Sequence, residues 1–173
     1  VFSLSFNLRP ENAEKIHTLL GLIYKPLTDV VDKATRSRMM SGIRARDTKP
    51  ELLVRRFLHA NGLRYRLHVK SLPGTPDLVL PRWKTVIFVH GCFWHQHPGC
   101  HLAYIPRTRR AFWLEKFERN VARDVAAISA LEGAGWQVIV VWECVLRSGA
   151  SHSVLADLVR KIREGVDDEG SDR

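Results

Sequence analysis

The chain has 173 residues, 45% of them hydrophobic and 26% charged, a composition typical of a folded globular protein rather than a disordered or fibrous one. No apolar run approaches the roughly 20 residues that span a bilayer, so we expect no membrane association. Three cysteines cannot form a closed set of disulfides, which favours a reducing compartment over secretion.

The net charge of +9 is unevenly distributed along the chain. Residues 1–31 are neutral and residues 164–173 carry −4, so residues 32–163 carry +13. A field of this sign attracts phosphate backbones and favours nucleic acid as the partner, the alternative being a basic protein without a polyanionic partner. We predict three segments: an N-terminal appendage of unknown structure at 1–31, a folded domain at 32–165 and a disordered acidic tail at 166–173.

The predicted elements follow the order α, β, β, β, α, β, α. The run "DTKPE" (47–51) combines a capping side chain, a proline and an acid, and predicts a helix start, while Asn61-Gly62 predicts its end. "RYRLHV" alternates like a half-buried strand, "DLVL" is a short strand opening with Asp77, and "KTVIFVH" and "WQVIVVWE" are typical of buried strands. Apolar periodicity predicts helices over 108–131 and 151–164.

The segment "SLPGTPD" is too short for a crossover, so the strands around it are expected to form an antiparallel meander. The order of elements then predicts an α/β fold, with a mixed sheet flanked by helices.

A cysteine- and histidine-rich loop, "HGCFWHQHPGCH" (90–101), follows the third predicted strand and indicates a zinc site. Thiolate and imidazole are the ligands that zinc prefers, and four protein ligands close a structural site. The expected ligands are Cys92, His97, Cys100 and Cys144. Two alternatives stay open: buried free cysteines acting as small apolar side chains, or His95 or His101 as a substitute ligand.

Acids and histidines outside that set point to hydrolytic chemistry. Asp77 begins one strand and His90 ends the next, so antiparallel pairing would bring them together. A carboxylate there could hold Mg²⁺ against a phosphate while a neutral histidine takes a proton from water. Alone, each acid has a simpler explanation: a turn residue for Asp77, a helix-dipole residue for Glu51, and a solvated ion pair for Asp124.

Five blocks between residues 32 and 147 together resemble the very-short-patch-repair (Vsr) DNA mismatch endonucleases. They are "DKATRSRMMSGIRARDTKPE", "SLPGTPDLVL", "VIFVHGCFWHQHPGC", "FWLEKFERNVARD" and "WQVIVVWECVLR". The resemblance implies a fold like that of type II restriction endonucleases (PD-(D/E)xK-type) and a Mg²⁺-dependent nick in one strand of double-stranded DNA. The implied nick lies 5′ to the thymine of a T·G mismatch, the product of 5-methylcytosine deamination.

The resemblance also implies roles for individual residues. Asp77 and the main-chain carbonyl of Val89 are the implied Mg²⁺ ligands, His95 activates water, and Asp124 orients His95. The supporting residues are His90 and Glu51, and the implied Zn²⁺ ligands are those already reached from spacing. The setting implied is a monomer in the bacterial cytoplasm at the nucleoid, aided by general mismatch-repair proteins.

Aromatic and basic residues acquire DNA-binding roles through the same resemblance. An apolar wedge entering DNA beside the mismatch from the major groove is implied for Phe93, Trp94 and Trp113. Intercalation from the minor groove is implied for Met40 with Met39, and phosphate contacts are expected from Arg36, Arg38, Arg44 and Arg46. The alternatives are an ordinary aromatic core and a solvated basic arm.

Two other functions remain open from the sequence. One is a Vsr-like nuclease with a different DNA substrate, acting in restriction, mobile-element movement or phage defence. The other is a zinc-stabilised DNA-binding module without catalytic activity.

Overall fold

A computed structural model describes residues 32, 34–35, 37–38, 46–148 and 151–165. In this part of the chain the elements are α1 (Lys49–Ala60), β1 (Arg66–Leu67), β2 (Leu78–Leu80), a 3-10 turn (Pro81–Trp83), β3 (Thr85–His90), α2 (Arg110–Gly133), β4 (Gln137–Trp142), α3 (Glu143–Arg147) and α4 (Ser151–Glu164). The predicted mixed sheet flanked by helices is confirmed. The predicted appendage and acidic tail lie outside the described residues.

The strands form one sheet in the order β1-β2-β3-β4. β1 pairs with β2, and β2 with β3, in antiparallel fashion, which confirms the predicted meander. β3 runs parallel to β4, with α2 as the crossover, from Thr85 opposite Gln137 to His90 opposite Trp142. Both strands therefore end at the same edge of the sheet, where the cysteine- and histidine-rich loop begins.

The two faces of the sheet are covered by different helices. Ile87 of β3 packs in a core with residues of α1, α3 and α4, whereas Val86 and Phe88 pack with Leu131 of α2. Because side chains alternate along a strand, His90 lies on the α2 face with Phe88, at 5.6 Å between ring centroids. None of the described helices has the length and apolar character needed to cross a membrane.

Gly74 allows the loop between β1 and β2 to lie against α2. Its φ is +69°, and a Cβ there would come within 2.7 Å of the Ala127 Cβ and 3.2 Å of the Phe88 ring. Any side chain would both strain the backbone and collide with α2. The loop that carries Asp77 is therefore fixed against this helix.

Several elements differ from their predictions. β1 has only two residues, both exposed, instead of a half-buried strand over "RYRLHV", because His68 turns the chain with a φ of +46°. In β4 only Val141 is fully buried, so the expectation of a buried strand was wrong for its other residues. α2 begins at Arg110 rather than at residue 108. α3 was not predicted, since five residues are too few for a helical period to emerge.

The helix start predicted from the "DTKPE" run is confirmed, and a capping box, which was not predicted, holds the first turn of α1. Thr48 Oγ1 accepts a hydrogen bond from the Glu51 N–H at 3.4 Å, and the Thr48 N–H donates to Glu51 Oε2 at 3.3 Å. These bonds satisfy backbone groups that a helix start leaves unpaired.

Replacing the capping side chain should destabilise the protein. Thr48→Ala removes the acceptor for the Glu51 N–H, and we expect the free energy of unfolding to fall by about 1 kcal/mol in urea denaturation. Ser129→Ala, at an exposed position within α2, is the matched control and should change it by less than about 0.5 kcal/mol. Equal losses in the two variants would contradict the capping role.

Candidate active site

Asp77 sits immediately before β2, against the end of β3. Its Oδ2 accepts a hydrogen bond of 2.7 Å from the N–H of Val89, the residue before His90. Burial raises the pKa of Asp77 above its usual range, while the Val89 N–H and the charge of His68 act to lower the pKa. A carboxylate with one oxygen held by the backbone and a desolvated charge fits a divalent cation, whose charge would offset the burial.

His95 and Asp124 form a close pair between the loop and α2. His95 Nδ1 is 2.6 Å from Asp124 Oδ2, and both side chains are partly buried. The carboxylate holds the ring in the tautomer with a proton on Nδ1, which leaves Nε2 to accept a proton. The simpler explanation considered from the sequence, a solvated ion pair between Asp124 and Arg123, is therefore wrong. Arg123 donates a hydrogen bond to the Asn120 side chain instead.

His90 stacks on His95 and lies deep beneath it. The ring centroids are 3.8 Å apart with an interplanar angle of 8°, and His90 is only 6% exposed. Burial, followed by the charge of His95, lowers the pKa of His90 to about 3. His90 is therefore neutral at physiological pH and adds no repulsion when His95 becomes charged.

Glu51 belongs to a polar cluster on the other side of Asp77. It is 2% exposed, and besides its capping role it accepts a hydrogen bond from Arg55. His68 Nε2 is 3.2 Å from Glu51 Oε1, and His68 Nδ1 is 3.8 Å from Asp77 Oδ1. Glu51 thus reaches Asp77 through His68 rather than directly.

Neither Arg55 nor His68 was predicted as a site residue. Arg55 could have been found, because it lies four residues after Glu51 on a helix, where opposite charges meet. His68 offered a weaker signal: a meander with the observed register sets it opposite Asp77, but the sequence does not fix that register.

The four predicted zinc ligands come together at the shared edge of β3 and β4. Cys92, His97, Cys100 and Cys144 each offer a ligand atom, and these atoms all lie within 4.8 Å of one another. Nδ1 of His97 is 3.7 Å from Sγ of Cys92 and 3.3 Å from Sγ of Cys144. A tetrahedral zinc centre places sulfur and nitrogen about 3.5 Å apart, so the donor set and its spacing fit the ion.

The electrostatics of this group also bear on metal binding. Burial raises the pKa of the Cys92 thiol to about 12 and raises that of Cys144, while it lowers the pKa of His97. The metal-free thiols are therefore protonated at neutral pH, and binding of a metal must release protons. The two substitute ligands considered from the sequence lie elsewhere: His95 pairs with Asp124, and His101 is exposed.

The aromatic residues predicted to form a wedge lie in one cluster beside α2. Phe93 contacts Trp94, Trp113 and Phe117 with centroid separations of 5.0 to 5.5 Å. Trp113 is 8% exposed, whereas Phe93 and Trp94 are partly exposed. Trp113 thus packs as a core residue beneath the two aromatic residues of the loop.

Two residues of α2 that were not predicted border this aromatic cluster. Lys116 Nζ lies 5.0 Å from the Trp94 ring and 5.5 Å from the Trp113 ring, and the Asn120 amide donates to the Trp94 carbonyl at 3.0 Å. In the sequence, only their positions on the predicted helix, about one turn and about two turns after Trp113, could have indicated this contact.

The predicted DNA-contacting residues of the arm are only partly described. Arg38 and Arg46 are exposed. Outside the described residues lie Arg36, Met39, Met40 and Arg44.

Comparison with known proteins shows the family to which the chain belongs. The family model described as "DNA mismatch endonuclease Vsr" matches residues 28–101. The DNA mismatch endonuclease Vsr of Escherichia coli is 46% identical over 145 residues, covering 84% of this chain and 92% of that protein. A type II nicking enzyme of Neisseria meningitidis is 45% identical over 81% of this chain and all of that protein, and one of Xanthomonas oryzae is 48% identical over 69% and 88%.

The names of these relatives and their identity to this chain show that it is a DNA endonuclease, a hydrolase of phosphodiester bonds. At this level of identity over most of both chains, the protein belongs to the Vsr family of DNA mismatch endonucleases.

The buried state of His90 predicts a pH dependence of stability. Its folded pKa of about 3 lies below the ordinary 6.5, so the unfolded chain binds a proton that the folded chain excludes, and stability falls as pH drops below about 6.5. Between pH 7.5 and pH 5 this histidine alone should cost about 2 kcal/mol, and His90→Gln should lack that part of the loss.

Urea unfolding at both pH values in Mg²⁺-free buffer measures the difference. His59→Gln, at an exposed position in α1, should retain the wild-type dependence on pH. If His90→Gln loses as much stability as the wild type, His90 is not held neutral by burial.

Proposed function

We propose that the protein nicks one strand of duplex DNA 5′ to the thymine of a T·G mismatch, by attack of water on the phosphodiester. The observation that carries this proposal is the 2.6 Å contact between His95 Nδ1 and Asp124 Oδ2, together with a partly buried Asp77 whose pKa is raised by burial. This arrangement supplies a proton acceptor beside a cation ligand, as hydrolysis of a phosphodiester requires. The E. coli relative is named a DNA mismatch endonuclease, which supports a mismatched substrate.

Asp77 and the main-chain carbonyl of Val89 would hold Mg²⁺. Support comes from the hydrogen bond that fixes Asp77 Oδ2 on the Val89 N–H, since it holds the carboxylate in place and leaves the other oxygen, Oδ1, to bind the ion. Mg²⁺, when bound there, supplies positive charge that offsets the charge developing on the phosphate.

His95 takes the proton from the attacking water at Nε2. Asp124 stabilises the imidazolium that forms, because its carboxylate accepts a hydrogen bond from the Nδ1–H of His95. His90 supports the His95 ring by stacking while it stays neutral, so His95 can gain charge without a like-charged neighbour. Glu51 orders the far side of the site through Arg55 and His68.

A structural Zn²⁺ held by Cys92, His97, Cys100 and Cys144 would fix the loop that carries His95. Three of these ligands come from the loop, and Cys144 comes from α3, which follows β4. Four protein ligands leave no position for a reacting water, so the ion holds structure rather than performing chemistry. Trp142 stacks on His97 at 4.1 Å, which helps to fix the orientation of this ligand.

DNA would bind across the loop, α2 and the basic segment before α1. Phe93 and Trp94 are the part of the proposed wedge that reaches solvent, with Trp113 behind them, and Met39 and Met40 would intercalate from the opposite groove. Arg36, Arg38, Arg44 and Arg46 would contact phosphates. Residues 32–165 would form the endonuclease domain, with a restriction-endonuclease-like fold, and the enzyme would act as a monomer.

A matched set of duplexes tests the substrate. With Mg²⁺, mapped strand breaks should appear 5′ to the thymine in a duplex with T·G at one position, and not in duplexes with T·A or C·G there. Equal nicking of all three duplexes would overturn the mismatch specificity. It would favour the second candidate, a nickase with a different DNA substrate, since two of the relatives are named type II nicking enzymes.

Asp77→Ala tests the catalytic site in the same assay. Cleavage of the T·G duplex should fall by about 100-fold or more, because the cation ligand is lost, while the affinity for that duplex should be retained. The matched control is Asp157→Ala, on the exposed face of α4, which should cleave like the wild type. If Asp77→Ala cleaves normally, Asp77 is a structural residue.

Zinc analysis tests the proposed structural ion. The purified protein should contain about one zinc per chain, and Cys144→Ala should lose it and melt at lower temperature, because metal binding stabilises the folded chain. His101→Ala, an exposed residue of the same loop, should keep its zinc. A zinc-free wild type with an unchanged melting temperature would rule out the site.

A further inference from the structure

An exposed surface of aromatic and basic residues extends from the aromatic cluster to the start of α2. Tyr104, in the loop before α2, is 63% exposed, and its ring centroid is 5.1 Å from that of Phe93. Phe112, in the first turn of α2, is 39% exposed, and its ring centroid is 5.5 Å from that of Trp113. Contacting aromatic rings therefore lead from the core beneath Phe93 to solvent.

Arg109 lies on this surface, over one of the exposed rings. Its Cζ is 4.6 Å from the centroid of the Phe112 ring, and the residue is exposed. A guanidinium group over an aromatic face is attracted by the ring, while the N–H groups at its edge can still bind a phosphate in a fork. Phe112 thus holds the guanidinium group of Arg109 in place without blocking its donors.

The charge around Arg109 is positive. The sequence has no acidic residue at positions 78–114, and three of the four residues at 107–110 are arginines. The first acidic residue of α2, Glu115, pairs with Arg119 at 3.3 Å. Exposed rings beside arginines fit the backbone of a nucleic acid, because cations bind its phosphates and apolar surface can cover its sugars.

The stability of the folded chain does not explain these arginines. α2 begins without a capping side chain and without an acidic residue in its first turn. The positive pole of the helix dipole lies at this end and repels a cation. Arg109 also has a φ of +53°, which is uncommon for a residue other than glycine. The arrangement therefore lowers the stability of the free protein, and a negatively charged partner would offset the repulsion.

We propose that Arg109, held over Phe112, binds a backbone phosphate of the DNA next to the base step that Phe93 and Trp94 enter, with the Tyr104 ring against the adjacent sugar. This role rests on the proposed binding of duplex DNA across the loop and α2. Contacts to the backbone fix the orientation of a protein on the duplex but carry no base sequence. The surface therefore raises the affinity for every duplex and leaves the choice of mismatch to other residues.

The salt dependence of DNA binding measures a phosphate contact without any cleavage. In Mg²⁺-free buffer, Arg109→Ala should bind duplexes with T·G and with T·A about 3- to 10-fold more weakly, by the same factor for both. The slope of log Kd against log salt concentration should fall by about 0.9, the value for one phosphate. Arg160→Ala removes an exposed arginine from α4, on the opposite face of the sheet, and is the matched control that should change neither quantity.

Substitutions at the two exposed rings test the aromatic part of the surface. Phe112→Leu keeps apolar bulk but removes the aromatic face beneath the guanidinium group, and should weaken binding by about 2- to 5-fold. Phe112→Tyr keeps that face and should bind like the wild type. Tyr104→Ala should likewise weaken binding, whereas Tyr104→Phe should not. Unchanged binding in both Phe112→Leu and Tyr104→Ala would overturn the role of the rings.

The outcomes separate this inference from the proposed function. If the wild type with Mg²⁺ nicks T·G and T·A duplexes equally, the proposed mismatch specificity fails, while the salt slope of Arg109→Ala still tests the surface. If the wild type nicks only the T·G duplex and Arg109→Ala keeps the wild-type slope, the inference about Arg109 fails alone. It also fails if Arg109→Ala loses affinity for the T·G duplex only, since Arg109 would then read the mismatch.

A measurement on the wild-type protein keeps the inference testable even where a variant does not fold. Phenylglyoxal modifies accessible arginines, and mass spectrometry locates the modified positions. Duplex DNA should protect Arg109 from this reagent, whereas Arg160 should react to the same extent with and without DNA. Equal modification of Arg109 in the presence and absence of DNA would overturn the proposal.

Discussion

The parallel pairing of β3 with β4 is the interaction on which the rest of the site depends. Its register sets His90 opposite Trp142, so the chain leaves both strands at one edge of the sheet. Cys92 follows β3 by two residues, and Cys144 follows β4 by two residues. Because the two strands end side by side, the two cysteines lie close together. A shift of register by one residue would separate the two cysteines and turn His90 away from α2.

Four histidines near this edge have four different environments, and the environment sets the chemistry of each. Burial keeps His90 neutral, and the carboxylate of Asp124 gives His95 a fixed tautomer with Nε2 available. His97 stands among thiols, where burial lowers its pKa and keeps it neutral as a ligand. His68 lies between the guanidinium group of Arg55 and the carboxylates of Glu51 and Asp77.

The parts of the site that were predictable depend on contacts close in sequence or on ligand chemistry. The helix start at Thr48 spans four residues, and three of the four proposed zinc ligands share one loop. From the residues alone the partner of Asp124 stayed open, because the neighbouring Arg123 offered an equally good pair and the rotation of α2 about its axis was unknown. Only the family resemblance implied His95, which the structure places 2.6 Å from Asp124. His68 was missed for a related reason: its role depends on the register of β1, which two exposed residues do not reveal.

The cluster around Glu51 is better explained by positioning than by stability. Burying a carboxylate and a guanidinium group removes both from water, and their attraction often does no more than offset that cost. Apolar side chains at Glu51 and Arg55 could fill the same volume beside Val54 and Leu58 without this cost. Apolar side chains could not provide the polar contacts that run from Arg55 and Glu51 to His68, which lies 3.8 Å from Asp77 Oδ1. Under the proposed role of Asp77 as a cation ligand, this desolvated cluster would border the carboxylate that binds the ion.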